Sequence, residues 1–265
     1  MRTEFDHVFV ETHASLALLA LNDPSVVNAM SGAMIEGFLQ GLDFVEGCGA
    51  RALVVTGEGR GFCAGAHLAE GLAEGATDIP SSIGARLDRG YHPLLRRLRD
   101  FPVPIVTAVN GAAVGIGISI ALMGDLVAAG RSAYFQHSFA RIGLVPDGGS
   151  TWLLPRLIGM SRARELSMLG DKLPAEQALA WGLINRVFDD GKLREEAVAL
   201  ASRLADGPSV ALAAMRRLFW QSQHNDYERQ LELEREFQMQ AGATQDFVEG
   251  VNAFLQKRKP VFKGQ

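Results

Sequence analysis

Cysteine is scarce in this chain: 265 residues hold only Cys48 and Cys63. Two thiols cannot build a disulfide framework, and neither is spaced with histidines as a zinc site requires, so both read as reduced. The histidines, His7, His13, His67, His92, His137 and His224, form no HExxH or related ligand spacing, and no metal is expected. Long apolar runs are missing too. The N-terminal stretch MRTEFDHVFVETHASLALLALN has a short apolar run after Ser15 with acids ahead of it, which fits neither a signal peptide nor a membrane span, and a cytoplasmic location is expected. Excess charge of either sign is also absent. With 26 basic and 30 acidic residues the net charge of −4 leaves no electrostatic footprint for nucleic acid or an anionic membrane. The expected partner is small.

What is present is an ordinary globular composition, 48% hydrophobic and 21% charged, with 29 glycines and no low-complexity tract. His7–Val10 and Leu16–Leu21 read as strands joined by a tight turn. Ser31 can cap a helix whose apolar face includes Met34, Phe38, Leu42 and Val45. Strands are expected at Ala52–Thr56, Ile105–Val109 and Leu126–Ala129 with helical segments between them, an alternating α/β pattern. Residues 71–82, GLAEGATDIPSS, lack a periodic apolar face and read as a loop, either an uninvolved surface loop or a lid. Beyond Asp190 the strands end, and helices are expected over 193–204, 209–221, 227–240 and 246–258, with Pro260 stopping the last. Their apolar stripes need cover from other helices. The division is therefore a core over 1–190 and a helical region over 191–265.

Three segments carry candidate chemistry. GEGRGFCAGAHL, Gly57 to Leu68, is dense in glycine, which lets backbone approach a ligand closely and present free N–H groups, although glycine clusters also mark plain turns. In VNGAAVGIGISIALMGD, Val109 to Asp125, a strand gives way to an apolar helix starting at Gly115-Ile116-Gly117, whose N-terminal N–H groups can face an oxygen carrying negative charge. The dinucleotide fingerprint fails there, because Ile120 stands where a third glycine or alanine belongs. Gly117-Ile118-Ser119-Ile120-Ala121 approaches a nucleophile elbow, with Ser119 attacking an acyl group and His137 or His224 as base; the plain alternative is a small residue packed in a buried helix. The third segment is GLVPDGGSTWLLPR, Gly143 to Arg156. Its Asp147 has the local composition of a turn residue.

Together and in this order, GRGFCAGAHL, VNGAAVGIGIS and GLVPDGGSTWLLPRLIG resemble the crotonase superfamily, the enoyl-CoA hydratases and isomerases; the likeness extends to the C-terminal DFVEGVNAFLQKRKPVFKG. The resemblance implies a crotonase-like spiral of ββα units followed by helices that build a homotrimer, often doubled into a hexamer. It implies an acyl-CoA substrate, with coenzyme A as part of the substrate and no separate cofactor. The thioester oxygen would be held by the N–H groups of Ala66 and Ile116, because an enolate formed next to a thioester needs preorganised donors. Val27, Ala64 and Leu68 match positions lining the CoA channel, with Gly115 beside them. By its charge the basic tail Lys257, Arg258, Lys259 and Lys263 is a candidate for the CoA phosphates, the alternative being basic residues that suit a helix C-terminus and solvent.

The departures from the family pattern decide among activities. Its hydratases use two glutamates; the matching positions here hold Ser119 and Phe139. The aspartate usual after AGA is His67. Where the hydratases have glycine, this chain has Asp147, as an isomerase branch of the family does. The implied activity is therefore an acyl-CoA isomerase that moves a double bond or isomerises a ring-fused epoxide through a thioester enolate, with Asp147 shuttling the proton. An enoyl-CoA hydratase is the alternative. A thioester hydrolase using Ser119 and a non-catalytic acyl-CoA-binding protein complete the set.

Overall fold

The computed structural model describes residues 1–68, 70 and 78–265. Its strands form two sheets. In the seven-stranded sheet the order is β1 (Arg2–Phe5), β2 (Val8–His13), β3 (Leu16–Leu21), β4 (Ala52–Gly57), β6 (Ile105–Val109), β8 (Leu126–Gly130) and β11 (Arg186–Phe188). The first three are antiparallel and the rest run parallel from β3 onward. The four-stranded sheet places β5 (Gly61–Cys63), β7 (Ala112–Val114) and β9 (Tyr134–Gln136) in parallel, with β10 (Lys172–Pro174) antiparallel at its edge. Each turn of the chain thus gives one strand to each sheet: β4 then β5, β6 then β7, β8 then β9. This is the ββα spiral expected from the resemblance.

The central strands β3, β4 and β6 are buried at every position because both faces are covered. In β3, Ala17, Leu19 and Leu21 point to the core shared with the second sheet and the helix α1 (Gly32–Gly47). Leu16, Leu18 and Ala20 face the opposite way, where Leu193, Ala197, Ala201 and Ala205 of α7 (Leu193–Ala205) close the outer face. Alternation divides one strand between two cores, and each fully buried Leu contributes on the order of 1.5–3 kcal/mol. The α1 expectation holds in detail: the Ser31 hydroxyl accepts from the Met34 N–H at 3.0 Å, and Met34, Phe38, Leu42 and Val45 have no exposure.

One expectation needs correction. The loop assigned to 71–82 is too long, because the Asp78 carboxylate caps a helix, α2 (Ile79–Arg86), by accepting from the Ser81 N–H at 3.2 Å. Residues 71–77, the rest of that supposed loop, lie outside the described residues. The interval to the next strand is helical, as expected. A π-helical turn, Leu87–Tyr91, runs on from α2 into α3 (His92–Arg99) and directs Tyr91 inward.

After α7 come α8 (Ser209–Ser222), α9 (Tyr227–Gly242) and α10 (Gln245–Leu255), close to the expected bounds. Arg216 on α8 anchors this region to the sheet. Buried, it pairs with Asp125 at 2.6 Å and donates to the carbonyls of Leu98 and Phe101. The tail is held as well, since Asp246 accepts from the N–H groups of Lys263 and Gly264 at 2.7 and 2.8 Å. No helix among the described residues is long and apolar enough to cross a membrane.

Candidate active site

The site begins where β5 and β7 end. Their parallel pairing sets Gly61 against Ala112 and Cys63 against Ala113, so the segments leaving both strands emerge side by side. Two asparagines pin those segments. The Asn110 side chain donates to Gly59 O at 3.0 Å and accepts from the Gly57 N–H at 3.3 Å, while buried Asn28 donates to Glu58 O and Gly61 O at 3.0 and 2.9 Å. Neither asparagine stands out in local sequence, because its partners lie in distant motifs.

Each segment then passes through a glycine with positive φ, Gly65 at 99° and Gly115 at 52°. A Cβ on Gly65 would sit 3.0 Å from Val114 O, and one on Gly115 would sit 4.0 Å from Gly65 Cα, so these two backbones meet face to face. Only glycine combines that approach with that conformation. The residues that follow are Ala66 and Ile116. Ile116 opens α4 (Ile116–Ala121), where first-turn N–H groups have no partner within the helix. Among the described residues neither the Ala66 nor the Ile116 N–H donates to another protein group. Two unpartnered donors side by side can hold one oxygen that carries negative charge.

Val27 borders this arrangement through its carbonyl, which accepts from the Ala64 N–H at 2.9 Å. It does so in a left-handed conformation, φ 54° and ψ 44°, that is costly for a β-branched residue. Met30 bridges Ala66 in parallel fashion, and Leu68 is 49% exposed. Val27, Ala64 and Ala66 therefore share one strip, with Gly115 across from it. His67 does not disturb the Ala66 N–H; its ring Nδ1 accepts from the Glu70 N–H at 3.2 Å.

Asp147 approaches from a third direction. Gly148 and Gly149 adopt positive φ of 59° and 75°, folding the turn tightly against α4 ahead of α5 (Ser150–Leu169). A Cβ on Gly148 would lie 2.4 Å from Ile116 Cδ1 and 2.7 Å from Ser119 Oγ. The turn is thus pressed onto the helix carrying the Ile116 donor. Asp147 Oδ1 is buried without a hydrogen-bond partner among the described residues. Its burial raises the carboxyl pKa from 3.8 to about 6, with His92 acting in the opposite direction. Buried Tyr91 lies close enough to sense the Asp147 charge, and burial pushes its phenol up to about 12, so it stays protonated. Tyr91 and His92 are neighbours of the carboxylate that sequence reading missed, since a π-helical turn delivers them and no local motif marks it.

A cavity of about 580 Å³ opens beside the turn, lined in part by Gly148, Gly149, His92, Met123, Trp152 and Trp220. That volume suits a small-molecule site. Val27, Ala64 and Leu68 do not line it.

The hydrolase alternative finds no support in this geometry. Ser119 lies inside α4, fully buried, and its hydroxyl has no hydrogen-bond partner among the described residues. His137 bonds to Ser167 and Ser150 instead, and His224 stacks on Trp152 with ring centroids 5.5 Å apart. Among the described residues Ser119 therefore has no histidine base. Phe139 is buried with its ring near Gly115, where it can move no proton. In the basic tail, Arg258 is committed to Glu249 through two bonds of 2.6 and 2.8 Å.

Comparison with known proteins agrees with this arrangement. The chain is 42% identical over 260 residues to the 1,2-epoxyphenylacetyl-CoA isomerase of Escherichia coli, covering 97% of this chain and 99% of that one. It is 35% identical to the 2,3-dehydroadipyl-CoA hydratase of the same organism, covering 97% and 99%. Among solved structures, an enoyl-CoA hydratase from a Polaromonas species superimposes with a TM-score of 0.90 at 32% identity, covering 97% and 99% of the two chains. Residues 11–265 match the family described as enoyl-CoA hydratase/isomerase, and with the paired N–H donors and the ββα spiral in place, the chain belongs to that family.

Proposed function

We propose that this protein is an acyl-CoA isomerase in which Asp147 moves the proton. The observation that carries the proposal is the buried Asp147 carboxyl oxygen, without a hydrogen-bond partner among the described residues and with its pKa raised to about 6, on a turn packed against the helix that opens with the Ile116 N–H. The substrate thioester oxygen accepts from Ala66 and Ile116. Asp147 takes a proton from C2 of a 3-enoyl-CoA, and the electron pair spreads into a dienolate whose oxygen the two donors stabilise. The proton then returns from Asp147 to C4, giving the conjugated 2-enoyl thioester. One carboxylate suffices because it gives back the proton it removed.

Hydration instead demands activation of water and delivery of a proton to a different atom. Ser119 and Phe139 supply no carboxylate for that task. The same enolate chemistry suits a ring-fused epoxide next to the thioester, the substrate type named for the Escherichia coli isomerase. We further propose a homotrimer or a hexamer, because Phe219, Phe247 and Phe254 on the last helices are 74%, 54% and 82% exposed, more apolar surface than monomers usually present. The bond changes are redox-neutral, and coenzyme A enters as part of the substrate alone.

Turnover of a 3-enoyl-CoA against hydration of the matching 2-enoyl-CoA tests the assignment directly. Isomerisation is expected to be the faster; faster hydration would transfer the assignment to the hydratases.

A further inference from the structure

Asp147 needs a fixed backbone to aim its carboxylate, yet two glycines with positive φ follow it and supply no side-chain packing of their own. The restraint comes from buried groups behind the turn. Asp147 O accepts twice from Ser150, from the hydroxyl at 2.6 Å and from the backbone N–H at 3.0 Å. The Ser150 hydroxyl has one proton and spends it on that carbonyl. Toward His137 Nε2, 2.9 Å away, it is therefore an acceptor, and Nε2 carries the hydrogen. His137 Nδ1 is left bare and accepts from the Ser167 hydroxyl at 2.9 Å. The chain runs in one direction only: Ser167 to His137 to Ser150 to the Asp147 carbonyl.

His137 and Ser150 have no exposure. Burial lowers the imidazole pKa to about 4, so the ring stays neutral and the tautomer is kept near neutral pH. The ring is also locked sideways, because Phe139 meets it edge-on at 4.9 Å and 76° and itself lies against Gly115.

We infer that His137, acting through Ser150, is a positioning residue for Asp147: a buried hydroxyl–imidazole–hydroxyl relay fixes the Asp147 carbonyl and so the distance between its carboxylate and the Ile116 donor. The relay touches no substrate. It sets where the base stands, and displacement of a reacting group by about 1 Å can cost ~100-fold in rate. The inference rests on the reading of Asp147 as the base.

The test is steady-state isomerisation of a 3-enoyl-CoA by the full-length protein carrying His137→Leu, His137→Gln, Ser150→Ala or both His137→Leu and Ser150→Ala, with Asp147→Asn alongside. His137→Leu is expected to lower kcat about 10- to 100-fold while KM stays within about threefold, because aim is lost and thioester binding is kept. His137→Gln, whose amide nitrogen can still donate to Ser150, should recover most of that loss. Ser150→Ala should match His137→Leu, and the double variant should be no worse than the poorer single one, since the two act as one unit. Unchanged kcat in His137→Leu and Ser150→Ala, additive losses, or a fall that glutamine does not rescue and that thioester affinity shares would overturn the inference. Should His137→Leu fail to fold, Ser150→Ala and Ser167→Ala decide by the same kcat criterion. Asp147→Asn separates the two readings: full activity there removes the base itself, whereas lost activity there with intact relay variants leaves the base standing and removes the relay.

Discussion

Replacing Asp147 by asparagine should have two effects of opposite sign, and their combination is hard to produce by any other route. Asparagine is nearly isosteric and keeps the turn, but it cannot take a proton at C2. Loss of a positioned general base typically costs 10²–10⁴ in rate, so isomerisation should fall by about that factor. Stability should move the other way. Burial raises the carboxyl pKa from 3.8 to about 6, so the folded protein holds this proton more tightly than the unfolded chain does. The stabilising contribution of the protonated form is complete below 3.8 and is lost as pH rises through about 6. At pH 8 the ionised carboxylate is a burden; about two pKa units correspond to a ceiling of ~3 kcal/mol. Because the side chain is only partly buried, solvent screening reduces this to ~1–1.5 kcal/mol. Asp147→Asn should therefore melt ~2–5 °C above the wild type at pH 8, with the gap closing by pH 4. The appearance of the conjugated 2-enoyl thioester, followed by ultraviolet absorbance, reads the rate, and thermal melts across pH read the stability. A variant that keeps full isomerase activity, or one that is less stable than the wild type at pH 8, would refute the argument.

Wild-type kcat/KM should rise as pH increases through about 6, because the base works only when deprotonated, and a pH-rate profile whose acid limb lies near 4 would remove the burial effect. Ala66→Pro deletes an N–H that has no protein partner among the described residues, so folding should survive while turnover drops by ~10²–10³; near-normal activity in the folded variant would reassign the donor. Gly148→Ala forces a Cβ to within 2.4 Å of Ile116 Cδ1 at a positive φ, and chemical denaturation should show a loss of ~1–3 kcal/mol together with a fall in kcat. Light scattering at micromolar concentration should report a trimer or a hexamer, and a monomer would contradict the reading of the exposed phenylalanines on α8 and α10.

Much of the fold was legible in the chain because its causes are local. Unbroken apolar runs at Leu16–Leu21 and Ala52–Val55 mark strands covered on both faces, and Ser31 ahead of a 3.6-residue apolar period marks a capped helix. The glycines of the two backbone segments offered either a ligand approach or plain turns in the same way, since a missing Cβ is visible in one letter. Tertiary structure decided whatever depends on two distant segments meeting. The N–H groups of Ala66 and Ile116, which follow Gly65 and Gly115, come together only because β5 and β7 run parallel. Tyr91 and His92 reach the carboxylate through a π-helical turn, and His137, which the sequence offered as a base for Ser119, instead spends both ring nitrogens behind the turn. Pro-Asp-Gly-Gly is turn chemistry from its composition alone, and Asp147 does sit in a turn. The resemblance and the missing glutamates made it a candidate base; the raised pKa that suits it to that task comes from desolvation, which is set by the neighbours the folded chain packs around a group.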